Sequence, residues 1–454
     1  MSCPIGLDIG STWVKALALT PDGDQLGSVR RPTPWQSVGE GGTQMHAHDL
    51  LATVRELLDD LDAQLAGLRF GSIGISGMAE AGVLLDAAGV PVVPVPAWFD
   101  PRGGPEFAAE PDELRRQFPC VTGLPVSALA TFAKLLHHRH QGLDLRGLTW
   151  LNIPEYVAHA LGGDRLGEVS LVARTGLVDQ DTGRPWHAAL DALGVGEQLL
   201  PPTVTAGSDW GRASDVPVSM RGAVLTVAGH DHLVASVAAG VVAPHQLYDS
   251  IGTAEALVRV LEHPLPAATR GALAAAGVNV VRHLLPGRST MLAGTRTGLV
   301  LRRVLHMVGV SDEAGRAALD AAVMALPPDE ACAIEVTGAA NTSSTMTVRV
   351  DADDVSPARL FAAALTHGTD TLSEVVALID AQVGPPTETI VAGGWAGMAS
   401  VRRARHAALP GVRYSARSED TAYGAALIGS FAADPQQHDL IQFVSGSLTP
   451  VSHP

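Results

Sequence analysis

The stretch IGLDIGSTWVKALAL, residues 5–19, decides how the rest of the chain is read. Ile5–Gly10 is a short apolar run and Val14–Leu19 is a second, as two buried strands require. Between them Gly10, Ser11 and Thr12 make a tight polar turn. Pro21-Asp22-Gly23-Asp24 ends the second run, and Gln25–Arg30 returns as a third strand. Leu50, Leu51, Val54, Leu57, Leu58, Leu61 and Leu65 then recur at steps of three and four, which predicts an amphipathic helix with Asp49 as N-cap. Phe70–Ser76 and Val83–Asp86 read as strands again. Strands alternating with helices define an α/β fold.

The opening pattern has an echo. Ser250-Ile251-Gly252-Thr253-Ala254 repeats the form of Asp8-Ile9-Gly10-Ser11-Thr12, about half a chain later. In each, Ile-Gly and hydroxyl residues follow a strand, and such turns offer free N–H groups and hydroxyls to phosphate oxygens. Between the two lie helices at Thr131–His140, Pro154–Leu161 and Leu233–Val241 and a strand at Val224–Ala228. After Pro244 the strand pattern restarts with Gln246–Ile251 and Ala256–Leu261. Helices at Thr297–Val308, Glu313–Leu326 and Ala358–Ile379, a short strand at Thr389–Val391 and a last helix at Asp420–Ala432 follow. The expected domains are 1–243 and 244–433, with a polar, turn-rich tail over 434–454.

Composition agrees with two domains, because 454 residues exceed the roughly 250–300 that one core serves. With 46% hydrophobic and 17% charged residues the chain is neither disordered nor a coiled coil. The net charge of −16 opposes binding to a phosphate backbone, so no nucleic-acid partner is expected. Cys3, Cys120 and Cys332 are scattered and odd in number, which fits a reducing compartment, the cytoplasm. The opening MSCPIGLDIG has no basic region leading into an apolar one, so no signal peptide is expected. Apolar runs such as 233–243 are shorter than the ~20 residues of a membrane span, so no membrane partner is expected. There is no G-x-x-x-x-G-K-[ST], no G-x-G-x-x-G after the first strand and no G-x-S-x-G. Phosphate, if handled, is handled on another scaffold.

Five segments in order resemble the FGGY carbohydrate kinases, the xylulose, ribulose, fuculose and glycerol kinases of the actin-like ATPase superfamily. They are residues 5–19, GISGMAEAGVLLDAAGVPVVPVPAWFDPR (74–102), AGHDHLVASVAAGV (228–241), DSIGTAEALV (249–258), and VAGGWAG (391–397) followed by EDTAYGAAL (419–427). The resemblance runs from residue 5 to about 432 and implies two actin-like, ribonuclease H-like domains, with mixed sheets flanked by helices and a cleft between them. It implies ATP-dependent phosphorylation of a hydroxyl on a small sugar, ketose or polyol. ATP and Mg²⁺ are the expected cofactors, the sugar or polyol and ATP/ADP the expected partners, and a homodimer is compatible with the family.

The resemblance also assigns residues. Asp8 matches an acid facing the Mg²⁺–phosphate group, with Gly10, Ser11, Thr12 and Lys15 around the first phosphate hairpin. Gly252 and Thr253 match the second phosphate hairpin; Glu255 stands where small or apolar residues are usual. Gly393 and Gly394 match the adenine-side loop, where Trp395 replaces a third glycine. Asp231 matches the catalytic base and, with Asp8, a residue on the metal side. Met78, Ala79 and Glu80 match the sugar loop, with Glu80 as hydroxyl acceptor; Trp98, Asp100 and Arg102 border it, and His230 adjoins it. From the residues alone, Asp100 and Arg102 read equally as an ion pair holding a loop. Gly424-Ala425-Ala426 reads as tight helix packing. The segment 335–358 is shorter than in many members.

Other readings remain on the residues. His230-Asp231-His232 has the form of a metal-ligand pair but lacks an accompanying ligand set. His137-His138-Arg139-His140 suits a helix C-terminus. Asp59, Asp60 and Asp62 fit a wet helix face. A sugar sensor without catalysis, and an actin-like ATPase with a protein partner, are the rival functions.

Overall fold

The computed structural model describes residues 3–252, 254–327, 334–339, 345–351, 353, 355–434 and 436–447. The first half runs β1 (Cys3–Ile9), β2 (Trp13–Leu19), β3 (Gln25–Pro32), α1 (Ala47–Gln64), β4 (Phe70–Gly77), α2 (Ile153–Ala160), β5 (Val224–His230) and α3 (Asp231–Ala238). The second half runs β6 (Gln246–Ile251), β7 (Glu255–Leu261), β8 (Ser289–Thr295), α4 (Thr297–Met307), α5 (Glu313–Met324), α6 (Pro357–Val383), β9 (Glu388–Ala392), α7 (Ala399–Ala408), β10 (Val412–Tyr414) and α8 (Asp420–Ala433). Residues group into two units: the chain up to Val242, Leu261–Thr290 and the segment from Glu419 on make the first; Ala243–Val260 and Met291–Ser418 make the second.

In the first unit the sheet order is β5-β4-β1-β2-β3. β1 pairs antiparallel with β2 and parallel with β4, and β4 pairs parallel with β5. Side chains alternate across a strand, so Ile5, Leu7 and Ile9 share a face, and with Ile73 and Ile75 they join the core that α1 closes with Leu50, Val54, Leu57, Leu58 and Leu61. The other face carries Gly6 and Gly74, and here α8 lies directly on the strands. A Cβ on Gly6 would fall 1.8 Å from the Ala422 carbonyl oxygen, and one on Gly74 1.8 Å from that of Ala425. Gly424 of α8 is also close-packed, with a Cβ there 2.7 Å from the Val234 carbonyl oxygen of α3. A second apolar cluster in this unit gathers Phe107, Phe118 and Phe132, with Phe107 edge-on to both others.

The second unit repeats the topology. Its strands follow β10-β9-β6-β7-β8, with β6 antiparallel to β7 and parallel to β9, and β9 parallel to β10. Its core joins Ile251 and Val391 of the sheet to Val300, Leu301 and Val304 of α4, Phe361 and Ala364 of α6 and Val401 of α7. The turns containing Gly10 and Gly252 therefore occupy equivalent places after the central strand of each sheet. The Ile-Gly echo is a record of this repeated architecture.

The structure departs from the sequence reading in several places. α1 starts at Ala47 with His46 as N-cap, so Asp49 sits in the first turn instead of capping it; burial of Ala47 extends the helix backwards. α8 belongs with the first unit, because the small residues of the helix match the bare glycines of β1 and β4. The tail is not wholly a surface extension: Leu440–Ser447 is a helix with Leu440 and Val444 buried, and Phe443 meets Phe431 of α8 at a ring separation of 5.5 Å. β8 and the hairpin Ile334–Gly338 with Met346–Val350 were not foreseen. Among the described residues no helix is long and apolar enough to cross a membrane.

Candidate active site

Three strand ends and one hairpin turn assemble the site of the first unit. Asp8 stands near the end of β1, opposite Lys15 on β2 and Ser76 on β4. The turn beyond it is held from several sides. Gly10 N–H donates to the Trp13 carbonyl (3.1 Å), Thr33 Oγ1 donates to the Gly10 carbonyl (2.7 Å), and Trp35 Nε1 donates to the Ser11 carbonyl (2.8 Å). A Cβ on Gly10 would lie 2.9 Å from the Trp13 carbonyl oxygen, so the close turn excludes a side chain. Thr12 is exposed at the tip.

Asp8 is buried and its carboxyl is pushed up to about 7. Burial is the main cause, opposed by Lys15 and reinforced by the charges of Asp231 and Glu419. Lys15 Nζ lies 3.9 Å from Asp8 Oδ2 and donates to Glu419 Oε2 at 2.5 Å.

Asp231 is the first residue of α3, directly after β5. Burial alone would raise its carboxyl, but His232, His230, the His232 N–H and Arg174 outweigh it and hold Asp231 below the usual range. His232 N–H donates to Asp231 Oδ1 (2.7 Å), and His230 Nε2 lies 3.1 Å from the same oxygen. The helix N-terminus favours the anion as well. Asp231 is thus an ionised carboxylate that has been partly stripped of water, while Asp8 beside it resists ionisation.

The β5 end is braced by residues that sequence reasoning missed. Ser76 Oγ donates to the Gly229 carbonyl (2.9 Å) and His230 N–H donates to Ser170 Oγ (3.1 Å). Ser170 Oγ in turn donates to Glu168 Oε2 (2.6 Å), and the Glu168 N–H donates to Glu155 Oε1 (2.8 Å). Gly229 has φ +117°, and a Cβ there would lie 2.8 Å from Ser170 Oγ. The links to the β5 end from Ser76 and Ser170 span 153 and 60 positions, so no local pattern announces them.

Glu80 is buried in a left-handed conformation, φ +61°, that few non-glycine residues adopt. Arg174 Nε donates to its Oε1 at 2.5 Å, and Arg174 Nη2 contacts the same oxygen. Arg174 engages Oε1, not Oε2. Burial raises the Glu80 carboxyl, against the pull of Arg174 and Lys134. Lys134 is itself buried, donates to the Ala128 carbonyl (2.6 Å) and is pushed down to about 8 by burial. Neither cation belongs to a recognisable motif; only the fold reveals them.

Met78 and Ala79, next to Glu80, are buried, and Met78 N–H extends the sheet by donating to the Ile9 carbonyl (3.1 Å). Trp98 Nε1 donates to Ser11 Oγ (2.8 Å), so Trp98 ties the sugar-side loop to the phosphate turn. Asp100 is fully buried and accepts from Thr43 N–H (2.8 Å), Arg102 N–H (2.9 Å), Arg102 Nε (2.9 Å) and Arg102 Nη2 (2.7 Å). Of the two readings of Asp100 and Arg102, this geometry is that of a loop-holding ion pair.

In the second unit Gly252, Gly394 and Trp395 line one cavity of about 390 Å³, with Arg302, His306 and Arg316. Gly252 N–H donates to the Ala254 carbonyl at 2.9 Å. Gly393 has φ +92° and a Cβ there would lie 2.4 Å from the Ile251 carbonyl oxygen, so this glycine serves the close approach of the loop to β6. Thr253 lies outside the described residues. Glu255 turns into the core: Arg405 Nη2 and Thr297 Oγ1 contact its carboxylate, Thr295 Oγ1 donates to Oε2 at 2.5 Å, and Arg405 Nε donates to Asp249 Oδ2 at 2.8 Å. Its role is to hold β6, β7, α4 and α7 together.

No group of three or more His, Cys, Asp or Glu side chains suited to a metal occurs among the described residues, so the metal reading of His230 and His232 has no ligand set. The model of the N-terminal domain of the FGGY family of carbohydrate kinases matches residues 3–238. The chain belongs to the FGGY family of carbohydrate kinases. An L-fuculokinase from Escherichia coli (strain K12) is 25% identical over 248 residues, 52% of each chain, so the match spans about half the length of that curated FGGY relative. Among solved structures, xylulose kinase from Rhodospirillum rubrum superposes with a TM-score of 0.84 at 21% identity, covering 98% of this chain and 92% of its own. Glycerol kinase from Plasmodium falciparum with ADP gives 0.83 at 14% identity, covering 98% and 92%. These likenesses extend the FGGY fold over the whole chain.

Proposed function

We propose that this FGGY protein transfers the γ-phosphoryl group of ATP to a hydroxyl of a small sugar, ketose or polyol, with Asp231 as general base. The observation that carries the reading is the state of Asp231: ionised, half-stripped of water and fixed at the start of α3. A hydroxyl is a far weaker acid than a carboxylic acid, so the proton moves late, and Asp231 contributes mainly by orienting the attacking oxygen. Glu80 Oε2 accepts from a second substrate hydroxyl while Arg174 holds the other oxygen of the same carboxylate. Gly10, Ser11 and Thr12 present backbone and hydroxyl donors to phosphate oxygens. In the second unit the cavity beside Gly252, Gly394 and Trp395 receives the nucleotide, with Arg302 and Arg316 supplying positive charge. The first unit is then the sugar side and the second the nucleotide side.

Mg²⁺ fits the donor set. Two neighbouring carboxylates, one pushed up by burial and by the charge of the other, gain from a divalent cation, and Mg²⁺ commonly takes one or two carboxylates with water and phosphate oxygens. Asp8 and Asp231 would hold it; when bound, it neutralises charge on the transferring phosphates. Cys3 and Cys120 are free thiols, in keeping with a cytoplasmic site of action.

A panel of L-fuculose, D-xylulose and glycerol, assayed with MgATP for sugar phosphate and ADP, tests the proposal. At least one sugar should be phosphorylated in step with ADP release. Asp231→Asn should cut turnover by about 10²–10⁴-fold, the usual range for a general base. Sugar binding by calorimetry should survive. ADP release independent of every sugar would favour a plain ATPase; undiminished turnover in Asp231→Asn would remove Asp231 from its role.

A further inference from the structure

Resting on the reading of the second unit as the nucleotide side, we propose that Arg405 is a positioning residue for the nucleotide phosphates: it clamps the two legs of the hairpin that turns at Gly252. Asp249 on β6 and Glu255 on β7 stand three positions before and three positions after Gly252. In the ladder Ile251 faces Glu255 and Asp249 faces Leu257, so Asp249 and Glu255 are diagonal neighbours on one face of the hairpin. Both are buried, and so is Arg405. Arg405 Nε donates to Asp249 Oδ2 at 2.8 Å, and Nη2 contacts Glu255 Oε1. One planar guanidinium therefore spans both legs close to the turn, as its rigid fork allows and a lysine ammonium would not.

Two buried carboxylates on one face of a hairpin repel each other, and a cation shared between them fixes their spacing. The strain is visible at Asp249: burial and the charge of Glu255 push its carboxyl well above the usual range, against the pull of Arg405. The second oxygen of Glu255 is taken by Thr295 Oγ1 at 2.5 Å and by Thr297 Oγ1, which keeps the carboxylate turned into the core. Glu255 is the residue by which this hairpin departs from the FGGY pattern. It is not aimed at phosphate; it is the anchor through which Arg405 holds the turn.

The helix that carries Arg405 grips the opposite wall as well. α7 follows the loop of Gly394 and Trp395, and Arg402 Nε donates to the Ala396 carbonyl of that loop at 2.7 Å. The start of α7 is pinned to α5, where Asp320 accepts from the N–H groups of Ala399 (2.7 Å) and Ser400 (2.9 Å). Arg402 and Arg405 lie three residues apart, on one side of the helix. Gly252, Gly394 and Trp395 line one cavity, so α7 holds the adenine-side loop with one arginine and the phosphate hairpin with the next. A nucleotide that reaches both walls senses the spacing α7 sets. A nucleoside without phosphates senses only the loop.

The test uses the full-length protein with two probes, MgADP and adenosine, in calorimetry, and hydrogen exchange of the ligand-free protein. Arg405→Lys keeps a buried cation but cannot bridge both carboxylates. It should weaken MgADP by about tenfold, within the range that coupled neighbours show, and change adenosine by less than about twofold. Exchange should quicken in the peptide 246–258, which contains the Gly252 N–H, and stay unchanged in the peptide 313–324 of α5. Arg405→Met combined with Asp249→Asn and Glu255→Gln removes the clamp without leaving a bare buried charge, and should show the same selective loss. MgADP affinity within about twofold of the parent in these folded variants would overturn the proposal, as would equal losses for MgADP and adenosine. Unchanged hairpin exchange in Arg405→Lys, with the parent binding MgADP, would remove the clamp and leave the nucleotide reading intact. A parent that binds neither probe would overturn the proposal through the nucleotide reading, even if the hairpin loosens in Arg405→Lys.

Discussion

At the scale of single residues, Glu80 and Arg174 show how much a buried charge depends on its partner. Glu80 spends conformational strain, at φ +61°, to place its carboxylate against Arg174. Arg174 Nη1 is buried without a partner among the described residues, so the pair is not self-sufficient and is well suited to complete itself on a ligand. Removing one member of a buried pair leaves an uncompensated charge and costs about 3–5 kcal/mol. Arg174→Met should therefore lower the unfolding free energy by about that amount in urea titrations. Glu80→Gln in the same chain should restore part of it. A double variant no more stable than Arg174→Met would show that the two charges are not coupled.

At the scale of elements, the first sheet and α8 meet backbone to backbone. The glycines of β1 and β4 are there because nothing larger fits between strand and helix, with carbonyl oxygens 1.8 Å from the positions their Cβ atoms would take. Overpacking costs typically 1–3 kcal/mol, and more when backbone must move. Gly74→Ala should cost at least about 3 kcal/mol in chemical unfolding. Gly39→Ala, where a Cβ meets nothing within 4 Å, should cost less than about 1 kcal/mol. Equal losses would mean that α8 does not rest on β4 as described. The same packing explains why Gly424-Ala425-Ala426 carries small residues, as its sequence suggested.

At the scale of the whole molecule, pH acts through buried groups of opposite kinds. His138, pushed down to about 4 by burial, and His230 and His283, down to about 3, stay neutral in the folded state and gain a proton on unfolding below pH 6.5. Their contribution to stability is complete above 6.5 and is lost as pH falls. Asp8 and Glu168, pushed up to about 7, and Glu155, up to about 8, work the other way: burial keeps them protonated where the unfolded chain has already ionised. Their contribution weakens as pH rises toward 8. The unfolding free energy should therefore decline between pH 6.5 and 8. His138→Gln should remove one proton from the acid side, a difference from the parent of up to about 1.4 kcal/mol per pH unit between 4.5 and 6.5, vanishing above 7. A parallel offset at all pH values would show that His138 ionises alike in both states.

Local patterns determined a good deal of this protein. Alternation and turn chemistry located β1, β2, β4, β6 and most helices, since those signals depend only on near neighbours. The repeated Ile-Gly turn pointed to two sheets of one topology, and the resemblance to the FGGY kinases singled out Asp8, Asp231 and Glu80. Tertiary structure alone decided the rest. α8 went to the first unit because its small residues match glycines some 350 to 420 positions away. Asp100 and Arg102 were resolved as an ion pair by contacts to Thr43 and Gln44. Arg174, Lys134, Ser170, Glu168, His283 and Arg405 carry no motif; they matter because folding strips them of water beside a specific charge or donor. Sequence writes the local preferences, whereas burial and charge pairing are properties of neighbours in space, and those exist only once the chain has folded.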